Sequence, residues 1–337
     1  MTIDRRSFIA GAAATPLAAP GAWAQQQRGK LKRLAFVSGP FPIERISESG
    51  EPSYAAFLQE LRRLGWIEGQ TLQVERATLL GRTTGEQEEL TRQIVASRPD
   101  LIVVGPSFAA ARFKAATADI PIVFAGASNP IGAGIAQSLA RPGGNVTGFA
   151  SDTGPELDQK RAQLLHDAVP LARRIAYLAT PTLLQQVAET YGDAANRLGL
   201  TLIPIVLERP VDEGWLRRGF ASLAEEGAQA VILSSVTALQ AYPQVIADLA
   251  LAARLPAVTS YRELTEAGVL MYYGPDFMDL WRKAAGYVDR IFKGANPGEL
   301  PIQQPTKFEF VVNLKTAKAL GIELPLSILG FVSEYIE

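Results

Sequence analysis

RPDLIVVGPSFAAARFKAATADIPIVFAG, residues 98–126, runs from an apolar stretch through Gly105-Pro106-Ser107 into an alanine-rich segment, then through Pro121 into a second apolar stretch. An apolar run without alternation, bounded by turn residues, suits a strand covered on both faces, as in a parallel sheet flanked by helices. The segment GAQAVILSSVTALQAYPQVIADLALAARLPAVTSY, residues 227–261, repeats the order strand, serine, helix, proline, strand. Each unit carries a serine, Ser107 or Ser235, to the exit of a strand and the start of a helix, the edge at which open α/β sheets bind ligands. Two such units predict two similar lobes facing each other across a cleft. They are equally what any two βαβ units of one sheet would look like.

The rest of the chain extends this pattern. LAFVS (34–38), LQVERA (72–77), RIAYLA (174–179), LTLIPIV (200–206), VLMYY (269–273) and FEFVVN (308–313) read as further strands. Phe277, Leu280, Trp281, Ala284, Val288 and Ile291 share one face of a helix, as do Tyr54, Phe57, Leu58, Leu61 and Leu64 before a terminating Gly65. Strand–helix alternation over 337 residues predicts an α/β protein, and a prior of ~150 residues per domain suggests two units.

Composition narrows the chemistry. A formal charge of -1, with no block of like charges, gives no field that would favour nucleic acid or an anionic membrane. There are no cysteines, which excludes disulfides, thiolate metal sites and a cysteine nucleophile. His166 is the only histidine, so a multi-histidine zinc site is excluded too. The N-terminus, DRRSFIAGAAATPLAAPGAWAQ, has a charged start, a mildly apolar run and an Ala22-Trp23-Ala24 cleavage pattern. Arg5-Arg6 with Phe8 resembles a twin-arginine export signal. The expectation is a signal peptide over 1–24, cleavage after Ala24, and a periplasmic protein.

Ser107 is open to several roles. GPSFA lacks the second glycine of a nucleophile elbow, and a serine nucleophile needs a base within reach. The Gly132-Ala133-Gly134 stretch lacks the third glycine of a dinucleotide fingerprint. A helix cap and a ligand donor remain, and one hydroxyl at a helix start could serve as both.

Three longer segments, SLARPGGNVTGFAS (138–151), PELDQKRAQLLHDAVP (155–170) and ELPIQQPTKFEFVVNLKTAKALGIELP (299–325), resemble the ABC-transporter substrate-binding family that includes tryptophan-binding proteins. LRRLGWIEGQ (61–70) and PIVFAGASNPIG (121–132) extend the resemblance over nearly the whole chain after the signal. It implies a type I periplasmic-binding-protein fold: two doubly wound parallel-sheet lobes joined by three crossings. The first lobe is expected over 30–148 plus 274–300, the second over 149–273 plus 301–337. It also implies hinge closure on a small organic ligand, transient docking on an ABC permease of the inner membrane, a monomer, no nucleic acid and no cofactor. No enzymatic role is expected; a periplasmic sensory module that docks on a receptor is the alternative.

The resemblance places the ligand against Pro40, Phe41, Ser107, Phe108 and Ala127-Ser128-Asn129 of the first lobe. It adds Thr180-Pro181, Ser235-Val236-Thr237 and Tyr261 of the second lobe, and Asp152, Tyr273 and Asp276 at the crossings. Ser107 and Ser128 are expected to receive a carboxylate. Asp276, helped by Asp152, is expected to pair with an amino group, and Phe41, Phe108, Tyr261 and Tyr273 to supply flat walls. Other roles stay open: Asp276 and Asp152 as helix caps, one of Tyr272 and Tyr273 in the core, Phe41 in a proline-flanked loop. RATLLGRTT (76–84) lacks the aromatic residue common there in the family, and SSVTALQAY (234–242) departs from its usual loop. The ligand, an amino acid or an aromatic carboxylic acid, therefore need not be tryptophan.

Overall fold

The computed structural model describes residues 31–152, 156–181, 183–185, 199–207 and 211–337; the expected signal peptide lies outside them. The first lobe opens with β1 (Lys32–Ser38), α1 (Pro52–Arg63), β2 (Leu72–Thr78), α2 (Thr84–Ala96), β3 (Leu101–Val104), α3 (Ser107–Ala116), β4 (Ile122–Ala127) and β5 (Val146–Ala150). There follow α4 (Glu156–Ala168), β6 (Arg174–Ala179), β7 (Thr201–Val206), α5 (Glu213–Glu225), β8 (Ala230–Leu233), α6 (Pro243–Ala252), β9 (Ala257–Thr259), α7 (Arg262–Ala267) and β10 (Met271–Pro275). The chain ends with α8 (Phe277–Phe292), β11 (Phe308–Asn313), α9 (Leu314–Leu320), α10 (Leu326–Leu329) and β12 (Glu334–Ile336).

The five-stranded sheet has the order β2-β1-β3-β4-β5, all parallel. The seven-stranded sheet runs β7-β6-β8-β9-β10-β11-β12. In each sheet the second strand in sequence lies outside the first, while the third, fourth and fifth extend the other way. The two units read from sequence thus occupy the same positions in two copies of one winding, with β3 matching β8. Strand order reverses at β1/β3 and at β6/β8, and the crevice at such a reversal is where doubly wound sheets bind ligands. The second sheet departs from pure parallel pairing at β11, which runs antiparallel to β10.

Burial follows the apolar runs. Every residue of β3 and β8 is buried, with helices on both faces. Helix α8 returns from the second sheet to the first: Trp281 stacks on Phe36 at 5.3 Å and meets Tyr54 and Phe57 edge-on, closing the core between β1 and α1. Helix α1 stops where Gly65 takes a positive φ of 93°. Helix α2 starts from a capping box between Thr83 and Glu86.

Sheet membership puts the crossings a few residues later than the sequence suggests. Strand β5 stays paired with β4 to Ala150, and β10 stays in the second sheet to Pro275. Residues 300–303 still grip the first lobe: Thr147 Oγ1 donates to Leu300 O at 2.7 Å, and Ala150 N to Gln303 O at 2.8 Å. Strands β5 and β12 escape the sequence reading because VTGFA contains a glycine and EYI is short and largely exposed.

Candidate functional site

At the exit of β3, Pro106 is the N-cap of α3 and Ser107 its first helical residue. The hydroxyl of Ser107 does not cap the helix. It donates to Ser128 O at 2.8 Å and lies 3.4 Å from Ser128 Oγ, tying α3 to the loop that leaves β4. The capping half of the expected double role is corrected: the hydroxyl is turned toward the neighbouring loop, whose carbonyl is in reach. Ser107→Ala is expected to cost about 1 kcal/mol and lower the melting temperature by ~2–4 °C, with Ser107→Thr closer to wild type. Thermal melts of the three proteins check this.

The β4 exit is shaped by a bulge. Register with β5 shifts between Ala125 and Ala127, and the intervening Gly126 has φ of 90°. A Cβ there would sit 3.0 Å from Phe277 Cε1, so the glycine lets the Phe277 ring lie against the strand. Phe277 stacks in turn on Tyr261 of the second lobe at 6.0 Å, a contact between the lobes. Asn129, at φ of 42°, donates its N–H to Asp152 Oδ2 at 2.8 Å, and its own Oδ1 accepts from Gly132 N. Asp152 thereby anchors the first crossing to this loop. Burial, reinforced by the charge of Asp158, pushes its carboxyl up to about 6, against the pull of the Asn129 N–H and Arg161.

Phe41 is buried in the first-lobe core, edge-on to Tyr54 at 5.6 Å, under the Arg45 guanidinium. Its backbone is fixed by Ser38 Oγ, which accepts from Phe41 N, and by Thr78 Oγ1, which donates to Phe41 O. Phe108 is half-buried and packs against the apolar cluster of α2 and α3, beneath Arg112. Ala127 is fully buried, Ser128 half-buried and Asn129 exposed.

In the second lobe Thr180 is half-buried and Pro181 exposed at the exit of β6. Ser235 offers its carbonyl to Tyr261 Oη at 2.9 Å, and Thr237 Oγ1 lies 3.5 Å from the same hydroxyl. Tyr273 stacks on Phe308 at 6.1 Å and meets Phe310 edge-on, so its ring is engaged by β11. Tyr272 is the core member of that pair, its hydroxyl donating to Pro275 O. Asp276 is the N-cap of α8: Oδ1 accepts from Asp279 N at 2.8 Å, which weakens its expected role toward an ammonium.

Five charged residues near these positions went unread in the sequence. Arg161 of α4, 3% exposed, donates Nε to Tyr273 O at 2.7 Å and pairs with Asp158, which also accepts from Tyr177 Oη. Glu51, the N-cap of α1, is 3% exposed and pairs with Arg45 at 2.8 Å. Glu263 lies in the first turn of α7, which Tyr261 caps, and burial together with the charge of Glu51 pushes it up to about 7. Arg161 did leave a signal: it interrupts the apolar stripe Leu157, Leu164, Leu165. Among the described residues no group of acidic or histidine side chains is arranged to hold a metal ion.

A family model described as ABC transporter substrate binding protein matches residues 49–335. A tyrosine-binding protein of Clostridioides difficile (strain R20291) is 21% identical over 269 residues, 79% of this chain and 76% of that one. Among solved structures, a conserved domain protein from Vibrio cholerae superposes with a TM-score of 0.80 at 23% identity, covering 91% of this chain and 100% of that one. An ABC domain from Streptococcus pneumoniae in complex with L-Trp superposes with a TM-score of 0.80 at 22% identity, with the same coverage. At these identities the structural likeness carries the fold alone.

Proposed function

Since the chain belongs to the ABC transporter substrate-binding protein family, we propose that it is the exported receptor of an importer and traps an amino acid between its lobes. The observation that carries the reading is the stack of Tyr261 on Phe277 between the two lobes, beside the exits of β3, β4 and β8. Flat aromatic rings next to the polar groups of the strand exits suit a ligand with an aromatic side chain and a polar head. The L-Trp complex of the S. pneumoniae domain and the name of the C. difficile relative support the amino-acid class. Closure brings the two lobes onto the ligand and presents the closed face to a permease. The first 24 residues, with Arg5-Arg6, supply the export signal and are removed after Ala24.

A thermal-shift screen of the protein lacking residues 1–24 tests this, with L-tryptophan and L-tyrosine first among the amino acids. A ligand at 100 times its dissociation constant adds about 2.7 kcal/mol to the state it binds. The melting temperature is then expected to rise by ~5 °C or more. No shift with any amino acid would overturn the ligand class.

A further inference from the structure

The cleft carboxylates differ in what already occupies them. Glu51 has Arg45, and Asp158 has Arg161. Asp152 holds the Asn129 N–H, and Asp276 holds the first turn of α8. Glu263 has its own backbone N–H and one long side-chain contact, Gln240 Nε2 at 3.4 Å, and no ion pair among the described residues. Its neighbour Arg262 is turned to Glu266, Glu309 and Glu334 and offers it no charge. Glu51 and Tyr54, at the start of α1 in the first lobe, lie within reach of the charge of Glu263. Two carboxylates thus feel each other's charge, and among the described residues only Glu51 of the two is ion-paired, to Arg45.

We propose that Glu263 is the counter-ion for the cationic nitrogen of the ligand, which enters between α7 and the Arg45–Glu51 pair as the lobes close. This rests on the amino-acid reading above and assigns the ammonium to Glu263 in place of Asp276. A cation beside Glu263 favours its ionised form, so binding expels the proton the carboxyl carries in the empty cleft. Glu263 sits at about 7 without ligand. Below that pH binding must first remove the proton, and affinity is expected to rise about tenfold from pH 6 to pH 8. The other titratable groups coupled to Glu263 are Glu51, Glu266, Tyr54, Tyr261 and Tyr272. The tyrosine hydroxyls are held above their ordinary range and do not titrate in this window.

The test is titration calorimetry with L-tryptophan and L-tyrosine, and with 3-indolepropionate and 3-(4-hydroxyphenyl)propionate, which lack the amino group. Each is run at pH 6 and pH 8 in two buffers of different ionisation enthalpy. The expected result is at least tenfold weaker binding of the desamino acids and release of about one proton per amino acid at pH 6 but little at pH 8. Glu263→Gln is expected to abolish the proton release and weaken amino-acid binding at least tenfold. The same variant should melt above wild type at pH 8 and with it at pH 4, which shows that it folds. If wild type and Glu263→Gln bind the amino acids equally, with no proton released, this inference fails and the amino-acid reading stands. Tighter binding of the desamino acids, or no binding of any amino acid, overturns both.

Discussion

Arg161→Ala is expected to destabilise the second lobe by about 3–5 kcal/mol, among the costliest substitutions in the chain. Arg161 is 3% exposed on the inner face of α4. Its guanidinium works in two directions, pairing with Asp158 and donating Nε to Tyr273 O at 2.7 Å. Removing it leaves the Asp158 carboxylate with the Tyr177 hydroxyl but without a positive charge, and strips the Tyr273 carbonyl of its donor. The large cost of breaking a buried pair is the cost of stranding one charge, so Arg161→Ala with Asp158→Ala should lose less than the sum of the single variants. Arg161→Lys is expected to fall between, since an ammonium lacks the planar fork that serves both partners. Urea titrations followed by circular dichroism measure these variants beside wild type. A loss below 1 kcal/mol for Arg161→Ala would show that the pair is solvated and not structural. Because Tyr273 lies in the strand that leads into the second crossing, ligand affinity should fall together with stability.

Burial on both faces made the strands legible. LIVV and AVIL admit no solvent-facing residue, and their apolar runs mark β3 and β8 almost to the residue. The apolar face of α8 was equally plain, because Trp281 and its helical neighbours fill the core against Phe36. At the site, residue positions were readable where roles were not. Ser107 stands at the strand exit as expected, but the partner of its hydroxyl is a carbonyl on another strand's loop, which no local pattern reports. Asp276 has a free N–H of its own helix within reach and takes it. Glu263 is the clearest case. Its coupling to Glu51 joins two helix starts far apart in sequence, and only the tertiary arrangement brings the two charges together. Arg161 was the exception, since a cation inside an apolar stripe is visible in one dimension.

Gly148→Ala is expected to cost more than about 4 kcal/mol, lowering the melting temperature by ~10 °C or preventing folding. Gly148 pairs with Phe124 between β5 and β4, and its φ is 154°. A Cβ there would lie 2.1 Å from Phe124 O and 2.8 Å from Phe124 N, backbone atoms that cannot rotate away. The strands would have to separate, and β5 has no slack on its other side. Gln303 N donates to Gly148 O at 3.1 Å, and Thr147 Oγ1 holds Leu300 O. The same strand therefore anchors the chain entering the first crossing and the chain approaching the third. Any opening at Gly148 loosens both connections, so ligand affinity should fall even at temperatures where the variant stays folded. Gly286→Ala is the matched control: it lies inside α8 with open space where the alanine methyl would go, and alanine there should stabilise by about 0.5–1 kcal/mol. Melting curves of the two variants beside wild type should move in opposite directions. A Gly148→Ala protein that melts with wild type would mean that β4 and β5 tolerate a gap at their centre, and that the hinge does not depend on their pairing.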